Sequence, residues 1–215
     1  MGGIAAMIAA ATFVVGIVLA FTALTPYMSG ELDPVQTAAF LADNQTIMYI
    51  WNQIIFVVFG VFLVVLVLAL YDRLKAGSPA MMQTATAFGL IWAGLMFASG
   101  MVFNIGLLGT VVDLYGKDPA QAATVGLAIR SVEEGLGGGN EIVGGLWILL
   151  VSWGALRGGG LPKSLNYFGV VVSVAGLLTI IPALEALGII FGLGSIVWFV
   201  LLGIVMLRSS PSTAA

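Results

Sequence analysis

From Val57 to Leu70 the chain carries no polar side chain, so an element built from that run has no face to turn toward water. A strand crossing a bilayer alternates lipid-facing and lumen-facing residues, whereas this run is apolar on every face; it reads as a helix in hydrocarbon. Similar runs recur along the 215 residues, with 60% of the sequence hydrophobic and only 8% charged. A water-soluble domain of that composition would expose far more apolar surface than water tolerates.

A helix rises about 1.5 Å per residue and the hydrocarbon core is about 30 Å thick, so each span needs roughly 20 residues. Six stretches qualify: Ile4–Leu24, Ile47–Leu70, Met81–Leu108, Asn140–Leu156, Leu165–Leu184 and Leu187–Leu207. The expected fold is all-α, a bundle of six transmembrane helices forming a single integral membrane domain over 1–215. The third run is overlong and is expected to tilt or project, while the fourth is short and starts at a polar pair. The first has no Lys or Arg ahead of it and exceeds a signal-peptide core, so it reads as a retained span.

Basic residues set the expected orientation. Arg73, Lys75, Arg157, Lys163 and Arg208 follow the second, fourth and sixth runs, and only Lys117 and Arg130 fall on the other side. The positive-inside tendency then places both termini in the cytoplasm of a multi-pass protein of the inner cell membrane. Tyr27, Tyr49, Tyr71, Tyr115 and Tyr167 all fall near span ends, where amphipathic rings prefer the headgroup level.

Two long connections, 25–46 and 109–139, lie on the expected outer side, and they share a pattern. Asp33, Pro34, Gln36 and Ala38 recur as Asp118, Pro119, Gln121 and Ala123; Asn44 and Gln45 precede Trp51 as Asn140 and Glu141 precede Trp147. An Asp caps a helix by accepting backbone N–H groups, and Pro in the first turn gives up no helical bond. Each connection is therefore expected to hold a short external amphipathic helix. In the second, Val125, Ile129, Val132 and Leu136 form an apolar stripe with Arg130, Glu133 and Glu134 turned away, and Gly135 with Gly137 to Gly139 is expected to end it. The pattern suggests a parallel internal repeat, units 4–75 and 81–157, with 165–207 as a closing hairpin.

The expected binding residues follow from polarity inside apolar runs. Asn52, Gln53 and Asn104 lie where side chains normally face protein or water rather than lipid. Trp51, Trp147, Asn140 and Glu141 complete the set, as the lining of an outward-facing cleft. Each has a structural reading beside it: interhelical hydrogen bonding for the amides, helix capping for Asn44 and Gln45 and for Asn140 and Glu141, and an ion pair along one helix for Arg130 with Glu133 or Glu134. Trp92 and Trp198, in mid-span, read as space-filling.

There is no His and no Cys, which removes the usual haem and zinc ligands, thiol nucleophiles, Ser-His-Asp triads and disulfides. No ligand spacing supports a metal, the cofactor is left unknown, and a net charge of −3 offers no footprint for nucleic acid. The runs Lys117–Ala123, Gly137 through Asn140, Glu141 and Gly144 to Trp147, and Gly192 through Trp198 to Arg208 resemble a family of small prokaryotic polytopic membrane proteins defined by a domain of unknown function. The resemblance implies six spans and no particular activity. Three functions fit: a non-enzymatic protein binding or transporting a lipid-like or amphipathic molecule, an accessory subunit docking a membrane complex through its external helices, and an intramembrane enzyme using Glu141 with Glu133 or Glu134. A homo-oligomer would pack through the small-residue face of Gly188 and Gly192.

Overall fold

The structure is a computed structural model describing residues 1–137 and 140–208. Gly138 and Gly139, part of the expected helix-ending glycine run, lie outside the described residues.

Among the described residues the chain is helical, with no strand. Helix α1 spans Gly2–Ala20, followed by the short α2 (Thr25–Met28) and α3 (Pro34–Asp43). Helix α4 (Gln45–Asn52) continues through a wider π-type stretch, Gln53–Val58, into α5 (Phe59–Leu74). Helix α6 (Pro79–Val102) likewise continues through a π-type stretch, Phe103–Val111, into α7 (Val112–Tyr115). Then come α8 (Pro119–Gly137), α9 (Asn140–Gly158), α10 (Lys163–Leu178) and α11 (Leu187–Arg208), with a single 3-10 turn at Pro182–Leu184 before the last.

Among the described residues five helical stretches are long and apolar enough to cross a membrane: Gly2–Ala20, Gln45–Leu74, Pro79–Tyr115, Leu187–Arg208, and the stretch Pro119–Gly158 that takes in α8 and α9. The fifth expected span, Leu165–Leu184, corresponds to a shorter apolar helix, Lys163–Leu178. The 37-residue Pro79–Tyr115 helix extends about 55 Å at the standard rise, well beyond a hydrocarbon core, as its overlong apolar run suggested. Gly135 does not end α8, which runs on to Gly137.

The helices pack as two compact units, each drawn from separated parts of the chain: one from residues 1–11, 60–94 and 140 onward, the other from 12–59 and 95–137.

In the first unit, α9 packs along α10 and α10 against α11. Its centre is aromatic. Trp92, Trp147, Trp198 and Phe199 are all buried, with ring centroids 5.8 Å apart for Trp92–Trp147 and 5.7 Å for Trp147–Trp198. Close approach depends on Gly169, where a Cβ would collide with the Ser152 hydroxyl and the Trp198 indole nitrogen. The Ser78 hydroxyl donates to the Gly154 carbonyl at 3.0 Å, and Arg73 Nε donates to the Gly160 carbonyl at 3.0 Å.

The second unit is organised around the π-type stretch Phe103–Val111. Leu24, Tyr27, Leu41, Met48, Phe103 and Leu107 form its buried core, with Val125 and Ile129 of α8 packed on it. Both Asp-Pro pairs cap as expected. The Asp33 carboxylate accepts from Val35 and Gln36 N–H at 2.8 Å, and the Gln36 side chain accepts from the Asp33 N–H at 3.0 Å, closing a capping box. Asp118 accepts from the N–H groups of Ala120 and Gln121, each at 3.0 Å. The two capped helices, α3 and α8, pack against each other.

Candidate functional site

The second unit contains a pocket of about 250 Å³ where α3, α8 and the π-type stretch meet. Its wall is mostly carbon: Ala38 and Leu41 from α3, Leu107 and Val111 from the π-type stretch, Ala122 and Ala123 from α8. These positions are apolar because each helix turns its core-facing stripe inward, and the alanines leave room that larger side chains would fill. Tyr27, Thr37 and Arg130 belong to the same lining, and among the described residues no acidic one does.

Arg130 is held from two sides. Its Nε donates to Glu134 Oε1 at 2.7 Å, one turn along α8, and its guanidinium carbon lies 5.2 Å from the Tyr27 ring centroid. Tyr27 in turn stacks on Phe40, centroids 6.1 Å apart, and is only 8% exposed. Burial pushes its phenol up to about 12, against the opposing pull of the Arg130 charge. It is therefore a neutral hydroxyl over the whole physiological range. The Gly30 backbone, at φ 72°, makes the left-handed turn that carries the chain from α2 toward α3 along the pocket rim.

On the π-type stretch lies a second, more open cavity of about 370 Å³, with Gln45, Thr46, Tyr49, Asn104 and Leu108 in its wall. The amide residues of the expected cleft are largely occupied here with one another and with backbone. Asn52, fully buried, donates through Nδ2 to the Gly100 carbonyl at 3.0 Å and to Asn104 Oδ1 at 2.8 Å. Gln45 Nε2 donates to the Leu108 carbonyl at 2.8 Å. Both carbonyls belong to the helix that carries the π-type stretch, where the regular ladder is disturbed and side-chain donors compensate. The Trp51 indole donates to the Gly16 carbonyl at 3.2 Å, and Gln53 is half-buried at the start of its own π-type stretch. Of the expected set, only Asn104 and Arg130 line these cavities.

Asn140, Glu141 and Trp147 belong to the first unit. Trp147 is a buried member of the aromatic core, a packing role. Asn140 does not cap α9 through its side chain: its Oδ1 is buried and accepts nothing among the described residues. Glu141 faces Gly188, whose Cβ position lies 3.8 Å from its Oε1. Asn44 stands at the start of α4, its carbonyl accepting from the Met48 N–H at 3.0 Å, but its side chain makes no cap there. That side chain closes α3, donating from Nδ2 to the Phe40 carbonyl at 3.0 Å. The apolar stripe of α8 is partly consumed within the chain, because Val125 and Ile129 cover the π-type stretch.

Sequence reasoning missed Tyr27, Thr37, Leu107 and Val111 as pocket residues. The available signal was the repeated Asp-Pro cap: two helices with the same start are natural partners, and a pocket between them takes its lining from both.

Among the described residues no group of three or more acidic side chains is arranged to hold a metal ion. Residues 8–209 match the family defined by a domain of unknown function (DUF4386), and the chain belongs to that family. Neither a curated protein nor a solved structure matches the chain.

Proposed function

We propose that this helical membrane protein is a non-enzymatic binder of a small amphipathic molecule, held in the pocket between α3 and α8. What carries the reading is the composition of that one cavity. Hydrocarbon walls from three helices surround it, with a guanidinium and a neutral phenol in the same lining. Ligand sites of this kind are mostly apolar with a few placed polar groups.

The same reading takes the protein as a multi-pass protein of the inner cell membrane with six spans, Lys163–Leu178 being the shortest. Both termini then face the cytoplasm, and α3 and α8 lie at the outer surface, where the pocket draws its ligand from the outer leaflet. The support is the clustering of Arg73, Lys75, Arg157, Lys163 and Arg208 on alternate connections.

The test has two parts. Native mass spectrometry of protein extracted in mild detergent should show a retained small molecule, lost in Ala123→Phe, which fills the pocket. No adduct and no thermal response to any amphiphile sinks the reading. Because the chain has no Cys, single replacements at Ser78 and Thr124 report topology directly. Labelling of both from the same side removes the outward pocket.

A further inference from the structure

We infer that the pocket between α3 and α8 selects a single-chain amphiphile with a carboxylate head, and that Arg130 is the residue that reads it. The inference rests on the proposal that this pocket takes an amphipathic molecule, and it names the class.

Among the described residues Arg130 is the only charged side chain in the lining. Of its donors, Nε is taken by Glu134, and the two terminal nitrogens have no hydrogen-bond partner among the described residues. That leaves the two-pronged edge of the guanidinium free, which matches the two oxygens of a carboxylate. Glu134 and the Tyr27 ring hold the side chain in place, so little rotamer freedom is lost on binding. Glu134, with Glu133 also near enough to act on the guanidinium through its charge, neutralises part of the charge of Arg130. A singly charged head therefore suits the site better than a doubly charged phosphomonoester.

The Tyr27 phenol, kept neutral by burial, offers a further donor to the same head. Below it the tail meets Leu41, Leu107 and Val111. The volume, about 250 Å³, lies just below the roughly 300–1,000 Å³ of drug-sized ligand sites, room for one chain segment and too little for a two-chain glycerolipid.

The experiment uses the full chain in non-ionic detergent at pH 8, with decanoate, decan-1-ol, decyl phosphate and acetate as probes. Binding is read by native mass spectrometry and by the thermal midpoint from tryptophan fluorescence. Decanoate should bind one to one and at least about tenfold tighter than decan-1-ol, the scale of one charge-assisted hydrogen bond. Acetate at equal concentration should give nothing. Arg130→Gln should lower decanoate affinity to that of decan-1-ol, leaving the alcohol unchanged. If glutamine unfolds α8, Arg130→Lys keeps the charge without the fork and should weaken decanoate alone.

Equal binding of acid and alcohol, or undiminished decanoate binding in both Arg130 variants, overturns the carboxylate inference while the amphiphile pocket stands. Tighter binding of decyl phosphate than of decanoate also overturns it. Failure of every probe, or full decanoate binding in Ala123→Phe, removes the pocket reading as well.

Discussion

Asn52 donates its side-chain amide to Asn104 Oδ1 at 2.8 Å, joining two helices at the points where each departs from α-geometry. Asn52 sits directly before the Gln53–Val58 π-type stretch, and Asn104 lies inside the Phe103–Val111 one. Such distortions disturb the regular hydrogen-bond ladder, and a buried amide is a compact way to supply donors to both the Gly100 carbonyl and the neighbouring side chain.

Replacing Asn52 by Ala is therefore expected to destabilise the folded protein by about 1–2 kcal/mol, since the Gly100 carbonyl loses its side-chain donor. Unfolding in mixed detergent micelles measures this. A double-mutant cycle with Asn104→Ala should give a coupling of roughly 0.5–1.5 kcal/mol. Full additivity would show that the pair does not act as one unit.

The cap at Asp33 is expected to contribute about 1 kcal/mol, and Asp33→Ala to lose it. Asp33→Asn should retain most of it, because the amide oxygen still accepts from Val35 and Gln36 N–H. Hydrogen exchange over residues 34–37 is the direct readout: faster exchange in Ala and near-normal exchange in Asn.

At Gly106 a Cβ would lie 2.5 Å from Ile129 Cγ2, so α8 rests on the π-type stretch through the missing side chain. Gly106→Ala gains about 0.5–1 kcal/mol in helix propensity but incurs about 1–3 kcal/mol of overpacking, and a net loss is expected. Adding Ile129→Ala should recover part of it in thermal unfolding. A second mutation that only worsens the first would place the strain elsewhere.

Trp147 is 1% exposed, with Trp92, Trp198 and Phe199 rings around it. Trp147→Ala should cost about 3–5 kcal/mol and often prevent folding; Trp147→Phe, which keeps most of the volume, should fold with a reduced midpoint. Ligand binding to the Phe variant is expected to be unchanged. Loss of binding in a folded Phe variant would give the residue a role beyond packing.

The apolar runs, the two Asp caps and the Arg130–Glu134 pair were legible because each depends on residues within a few positions of one another. Helical period, N-cap chemistry and one-turn ion pairs are local properties. The expected polar cleft was only partly legible. Polarity inside an apolar run marked Asn52 and Asn104 as facing protein or water rather than lipid, but whether an amide serves a ligand or a neighbouring carbonyl depends on what stands opposite it.

Composition and spacing by themselves determined that this chain is a helical membrane protein with two Asp-capped helix starts, of which only α3 is short while α8 runs for 19 residues. Tertiary structure alone decided that those helices, α3 and α8, pack together and enclose a pocket, and that Tyr27 and Arg130 meet beside it. The reason is range: a cap or a stripe is written into consecutive turns. Asn52 and Asn104, by contrast, meet across 52 positions through the packing of helices whose apolar faces, read alone, accept many partners.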